Sequence, residues 1–230
     1  VDGVSGFERL FVWTGGAMFV LSLAAAVYSY LFTWASGPFS ISIRSMAIDA
    51  FLFSIFALHH SLFARESVKA YMARVVPDQL MRSVYVWIAS LLLLLVLGLW
   101  HRVGGEAYHA TGWRAFLHGG VQLAGVWLIA RAVAKIDALE LAGIRQEHEA
   151  SPLQVTGPYR WVRHPLYLGW LLVVFGAPHM TGDRLTFATI TTIYLLMAVP
   201  WEERSLTRAF GEAYTRYKDR VRWRIVPYVY

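Results

Sequence analysis

The chain has 230 residues, of which 57% are hydrophobic and only 16% charged, where water-soluble domains carry nearer ~25% charge. Aromatics reach 15%, mean hydropathy is +0.45 and Cys is absent, which excludes a disordered chain, a collagen-like repeat, a disulfide scaffold, thiolate metal sites and a cysteine nucleophile. The net charge of +6 reads first as membrane topology rather than nucleic-acid binding, so membrane lipids are expected partners and nucleic acid is not.

A helix crossing about 30 Å of hydrocarbon needs roughly 17–25 mostly apolar residues, and six stretches qualify. The first lies within Leu10–Ala35, and no charge interrupts the chain from Leu10 until Arg44. It is longer than a signal-peptide core and is expected to remain as a helix. Met46–Ala64 follows, with Asp49 near one end and His59, His60 and Ser61 near the other. Ser83–Trp100 is third, and the fourth lies between Arg114 and Arg131. Pro165–Met180 and Leu185–Trp201 are shorter, and the turn-like Thr181-Gly182-Asp183 joins them as a hairpin.

With six crossings, seventeen of the 21 Lys and Arg fall on one side and four on the other. The positive-inside rule makes the richer side cytoplasmic and puts both termini there. After Trp201 the apolar positions 206, 210, 213, 214, 217 and 221 have helical spacing, opposite Arg208, Glu212, Arg216, Lys218 and Arg220. This predicts an amphipathic helix on the headgroup surface or across the bundle's cytoplasmic end. The expected fold is therefore all-α: a polytopic membrane bundle of about six helices, the last two a short hairpin, plus a C-terminal amphipathic helix. It reads as one domain over 1–230, with N-terminal helices in 1–130 and a second half in 131–230.

The densest polar cluster is the run from Gly157 to Gly169, which includes Tyr159, Arg163, His164, Pro165 and Tyr167. Pro165 suits the first turn of a helix and places His164 at the N-cap. Free N–H groups and the dipole there would attract an anion, with Arg163 adding charge. Gly169 would let a flat ligand group approach, and Tyr167 offers a ring face and a hydroxyl. The plainer reading makes Arg163 and His164 an interfacial anchor. Glu202 and Glu203 follow the sixth helix, where carboxylates need water or a cation, and Arg163 or Arg204 would serve. The topology brings both clusters, and the end of the second helix with His60, to one membrane surface.

Four other histidines, His101, His109, His118 and His179, fall toward the opposite side. No metal or haem signature accompanies them, and no metal ligands are expected. Gly119, Gly120 and Ala124 are expected to serve close helix packing.

Gly157-Pro158-Tyr159, Arg163-His164-Pro165-x-Tyr167-x-Gly169, an apolar hairpin, then Glu202-Glu203, Leu206, Phe210-Gly211, Tyr214 and Tyr217 together resemble the integral-membrane methyltransferases. That group includes isoprenylcysteine carboxyl and phospholipid methyltransferases, and the likeness covers residues 143–221. It implies S-adenosylmethionine as cofactor, bound at the cytoplasmic face by Tyr159, Arg163, His164, Tyr167, Gly169, Glu202 and Glu203, with Gly157 and Gln146 as further contacts. His60-Ser61-Leu62-Phe63-Ala64-Arg65, Val76-Pro77, Arg82-Ser83-Val84-Tyr85-Val86 and Leu141-Ala142-Gly143-Ile144-Arg145-Gln146 are similar to the bacterial methanethiol S-methyltransferases and NnrU-like proteins. That branch implies a bacterial inner membrane and a small thiol as acceptor.

Helix five carries Leu166-Tyr167-Leu168 and the stretch Glu147–Val155 is short for that branch, so a prenylcysteine carboxylate and a phospholipid amine stay open as acceptors. A thiol needs a base or a cation to ionise, and His60 and Arg163 are the catalytic candidates. A nicotinamide-dependent membrane reductase, or a lipid-binding or assembly-factor membrane protein without catalysis, are the readings from other classes.

Overall fold

The computed structural model describes residues 5–37, 40–63, 65–135, 139, 142–144 and 152–230. The chain forms two compact units, Val1–Val103 with Asp137–Glu149, and Gly104–Ile136 with Ala150–Tyr230.

The first unit holds α1 (Gly6–Leu31), α2 (Ile43–Phe63), α3 (Glu66–Met72) and α4 (Asp78–Gly98), with a 3₁₀ turn at Thr33–Ala35. Ser5 starts α1 as a capping box: its hydroxyl accepts from Glu8 N while the Glu8 carboxylate accepts from Ser5 N. α1 packs on α4 where Gly15 lies under Trp87; a Cβ there would come within 2.8 Å of the indole. Trp87 also donates its indole N–H to the Phe11 carbonyl at 3.0 Å. Asp49, fully buried in α2, accepts the backbone N–H of His101 beyond α4 at 2.8 Å, so this intramembrane carboxylate ties helix ends together as a pairing residue.

The second unit holds α5 (Trp113–Val133), a 3₁₀ turn (Gly157–Arg160), α6 (Pro165–Phe175), α7 (Gly182–Phe210) and α8 (Glu212–Arg220). A two-stranded antiparallel sheet pairs β1 (Glu106–His109) with β2 (His179–Thr181). α5 and α6 cross at Gly125 and Gly169. A Cβ on Gly125 would stand 2.7 Å from the Gly169 carbonyl, and one on Gly169 would stand 2.8 Å from Ile129 Cγ1 and 2.9 Å from the Gly125 carbonyl. Small residues are what let two membrane helices approach this closely. The close packing expected of Gly119 and Gly120 falls on Gly125 instead, since a Cβ on either of the first two would meet open space.

Among the described residues, five helices (α1 through its following turn, α2, α4, α5 and α7) are long and apolar enough to cross a membrane. Large apolar side chains such as Phe116 on α5 and Met197 on α7 are 84% and 68% exposed, which suits contact with lipid tails. The chain is an integral membrane protein and a helical bundle, with the small sheet as an addition to the expected all-α fold.

The hairpin differs from expectation in its two arms. The fifth apolar stretch stops at Phe175, and its last residues become β2. At 1.5 Å per residue the 11-residue α6 spans about 16 Å, roughly half the hydrocarbon thickness. α7 instead runs on for 29 residues, straight through Pro200, and ends only at Gly211, whose φ of +54° breaks the helix. Proline removes one helical hydrogen bond, that to the Leu196 carbonyl, and α7 tolerates the loss. Glu202 and Glu203 therefore sit inside a helix rather than after one.

α8 carries the expected amphipathic pattern. Tyr214, Tyr217 and nearby Val221 are buried against Leu153, Val155, Tyr159, Leu206 and Phe210. Its apolar face is thus spent on the unit's own chain rather than on headgroups.

Candidate active site

Pro165 at the first position of α6 fixes the helix start, with His164 as N-cap. The amides of Arg163 and His164 donate to the carbonyls of Trp223 and Arg224 at 2.9 and 2.8 Å. The C-terminal segment thus takes the two amides that lead into the helix.

The anion beside this helix start is the protein's own. Arg163 Nε donates to Glu203 Oε1 at 2.6 Å, and Nη1 donates to the carbonyls of Val221 and Arg222 at 2.7 Å each. Arg224 Nε lies 3.3 Å from Glu203 Oε2. The Arg163 and Glu203 side chains are only 7% and 9% exposed, so this is a buried, charge-assisted clasp. One guanidinium holds α7, the entry to α6 and the chain after α8 together.

Glu202, one residue earlier on α7, keeps its side chain 42% exposed. Its Oε2 accepts the Tyr167 hydroxyl at 2.7 Å and lies 3.6 Å from His164 Nδ1. The His164 and Tyr167 rings stack in parallel, with centroids 5.3 Å apart and planes 4° from each other. His164 Nε2 is buried and lies 3.4 Å from Glu203 Oε1. Arg204, the other cation expected near these carboxylates, instead covers the Trp201 ring at 5.0 Å.

Around the 3₁₀ turn the backbone and phenols are fixed from α8. Tyr217 donates its hydroxyl to the Tyr159 carbonyl at 2.7 Å. Burial, reinforced by the Glu202 charge, raises the Tyr159 phenol above its ordinary range, and burial first of all raises Tyr214 and Tyr217 as well. All three are neutral at physiological pH. A cleft of about 550 Å³ flanks the turn, lined by Trp127, Arg131, Gly157, Pro158, Arg160 and Trp161. Gly157, with φ of +63°, has open space where a Cβ would stand.

The second unit thus gathers Arg163, His164, Tyr167, Glu202 and Glu203 into one cluster, with Tyr159 and Gly157 beside it. Gly169 is placed differently: its bare face meets α5, and the room it makes is for a helix rather than a ligand. Gln146 lies outside the described residues. His60 belongs to the first unit, where its Nδ1 pairs with the Tyr85 hydroxyl and His59 stacks on the same phenol at 5.5 Å. Arg224 and the carbonyls of Val221 and Arg222 escape a sequence reading, since a backbone acceptor leaves no residue-type signal.

Residues 114–213 match the family described as phospholipid methyltransferase. A methanethiol S-methyltransferase of Crocosphaera subtropica is 37% identical over 81% of this chain and 76% of its own length. Methanethiol S-methyltransferase 2 of Bradyrhizobium diazoefficiens is 37% identical over 77% and 72%. Nurim of Rattus norvegicus is 29% identical over 71% and 69%. No solved structure matches. The chain belongs to the family of these methanethiol S-methyltransferases, and it is a membrane methyltransferase.

Proposed function

We propose that the chain transfers a methyl group from S-adenosylmethionine to a small thiol of the methanethiol class, giving the methyl sulfide, at the cytoplasmic face of a bacterial inner membrane with both termini inside. The names of the relatives support the acceptor, and the segregation of Lys and Arg supports the orientation. The observation that carries the reading is the Glu202–Tyr167–His164 cluster held by the Arg163–Glu203 clasp.

The residues suit the donor. Glu202 keeps one oxygen on Tyr167 and enough exposure to accept from an ammonium group or ribose hydroxyls. His164 Nε2 is a buried polar atom 3.4 Å from Glu203 Oε1, and its ring faces Tyr167 beside the same carboxylates. The cleft beside Gly157 has the size of a small-molecule site, and its tryptophans offer faces for a planar base. When bound, S-adenosylmethionine supplies a methyl carbon on a positively charged sulfur.

The protein's task is then to hold the partners in line and keep water away. A thiolate meeting a sulfonium gives neutral products, so a dry, pre-organised pocket favours the charge-dispersed transition state. Arg163, with Nε and Nη1 already engaged, acts as a positioning residue that fixes Glu203 and the chain after α8.

The test is donor binding followed by turnover, with purified protein in detergent. Saturable binding of S-adenosylmethionine is expected, weakened about 10-fold, or ~1.4 kcal/mol, by Tyr167→Phe. Methanethiol, a prenylcysteine analogue and phosphatidylethanolamine are then offered in turn, and dimethyl sulfide in the headspace identifies the thiol reaction. Absence of donor binding by the parent sinks the proposal, and methylation of the lipid or the prenylcysteine alone overturns the acceptor.

A further inference from the structure

Away from the carboxylate clasp, the small sheet of the second unit brings together Glu106, His109 and His179. One ligand atom from each lies within 4.8 Å of those of the other two. His179 Nε2 is 2.7 Å from Glu106 Oε2, and the His109 and His179 rings stack with centroids 4.4 Å apart at 19°. We propose that these three residues form a divalent transition-metal site, with zinc as its natural class of ion.

The backbone explains how the three meet. His109 and His179 are direct cross-strand partners, so their side chains share one face of the sheet. In a regular strand, residues 106 and 109 would point to opposite faces. The register shifts between Glu106 and Tyr108, and such an irregularity resets the alternation, turning Glu106 onto the histidine face.

The platform is also tied down. Ala110 N donates to the Pro178 carbonyl at 2.7 Å, Gly182 N to Gly105 at 2.9 Å, and Arg184 Nη1 to the His179 carbonyl at 2.6 Å. The Tyr108 hydroxyl bonds the Phe175 and Ala177 carbonyls at 3.1 and 3.0 Å. Holding backbone positions fixed while leaving the side chains free is what a metal site needs.

Two imidazoles and a carboxylate are borderline ligands of the kind zinc takes, with bonds of about 2.0–2.2 Å and donor atoms roughly 3.3 Å apart on a tetrahedral centre. Glu106 and His109 are exposed and His179 half-buried, so small side-chain rotations close the set and solvent has a path to the ion. Three protein ligands leave a fourth position for water. The ion would clamp the strand before α5 to the connection between α6 and α7.

The test uses the full chain in detergent after chelator treatment, titrated with Zn²⁺ by calorimetry and with Co²⁺ by visible absorption. One ion per chain is expected, with the d–d bands of nitrogen and oxygen coordination. The double variant His109→Ala/His179→Ala should weaken binding by on the order of 100-fold or more, and Glu106→Gln should weaken it less. Zn²⁺ should raise the melting temperature of the parent but not of the double variant. His101→Ala/His118→Ala serves as the control and should leave binding unchanged. Absent saturable binding, or binding that survives the double variant, overturns the site.

Discussion

Replacing Arg163 with Met removes three charge-assisted hydrogen bonds at once and strands the Glu203 carboxylate, whose side chain is 9% exposed. Arg224 remains 3.3 Å from Oε2 and His164 Nε2 3.4 Å from Oε1, but the Arg224 side chain is 36% exposed, and together they offset the loss only partly. Breaking one partner of a buried pair costs about 3–5 kcal/mol. At 2–4 °C per kcal/mol for a chain of this size, the melting temperature in detergent should fall by roughly 6–20 °C. The carbonyls of Val221 and Arg222 lose their donor too, so trypsin should cut after Arg220 and Arg222 faster than in the parent. Arg163→Lys keeps the charge but cannot present a planar fork to three acceptors, and should fall between the two. The double variant Arg163→Met/Glu203→Leu removes the stranded carboxylate and should melt above Arg163→Met. A single variant within about 2 °C of the parent, or a double variant that falls by the sum of the two singles, would refute the claim that this clasp holds the site.

Gly169→Ala places a methyl against Ile129 and the Gly125 carbonyl, and overpacking of this kind costs about 1–3 kcal/mol; a melting temperature equal to the parent's would show that α5 and α6 do not meet there as described. The raised phenols set an alkaline limit. Tyr159, Tyr214 and Tyr217 lose protons near pH ~10 when unfolded but later when folded, so their contribution is complete below that pH and declines as pH rises through it. Melting temperature should therefore fall above pH ~10, and Tyr214→Phe should flatten the fall; an equal slope in the variant removes Tyr214 from the account.

How much of this was legible in the sequence depends on the range of the interaction. Lengths of apolar sequence found the five long helices among the described residues, because a lipid solvent imposes that length on any crossing segment. The ends were less legible. The sixth apolar stretch ends at Trp201, yet α7 continues through Glu202 and Glu203 to Phe210, and Pro200 does not stop it, since one missing hydrogen bond costs less than abandoning a packed helix. The fifth stretch stays apolar to Met180, but its backbone leaves the helix at Phe175 to pair with Glu106–His109, a partner about 70 residues earlier that composition does not announce.

The same division holds at the site. Motif spacing singled out Arg163, His164, Tyr167, Glu202 and Glu203, and helical periodicity marked Tyr214 and Tyr217 as the buried face of α8. Which carboxylate takes which donor was not written there. Glu203 goes to Arg163 and Glu202 to Tyr167 because neighbours on a helix point about 100° apart, and only the packing of α7 decides where each direction leads. Gly169 looked like room for a ligand until α5 filled it, and the histidines at 109 and 179 looked solitary until a strand pairing stacked them. Sequence by itself determined the solvent, the helices and the chemical types of the site, all of which follow from local composition. The tertiary structure alone decided the pairings, because they depend on contacts between residues distant along the chain.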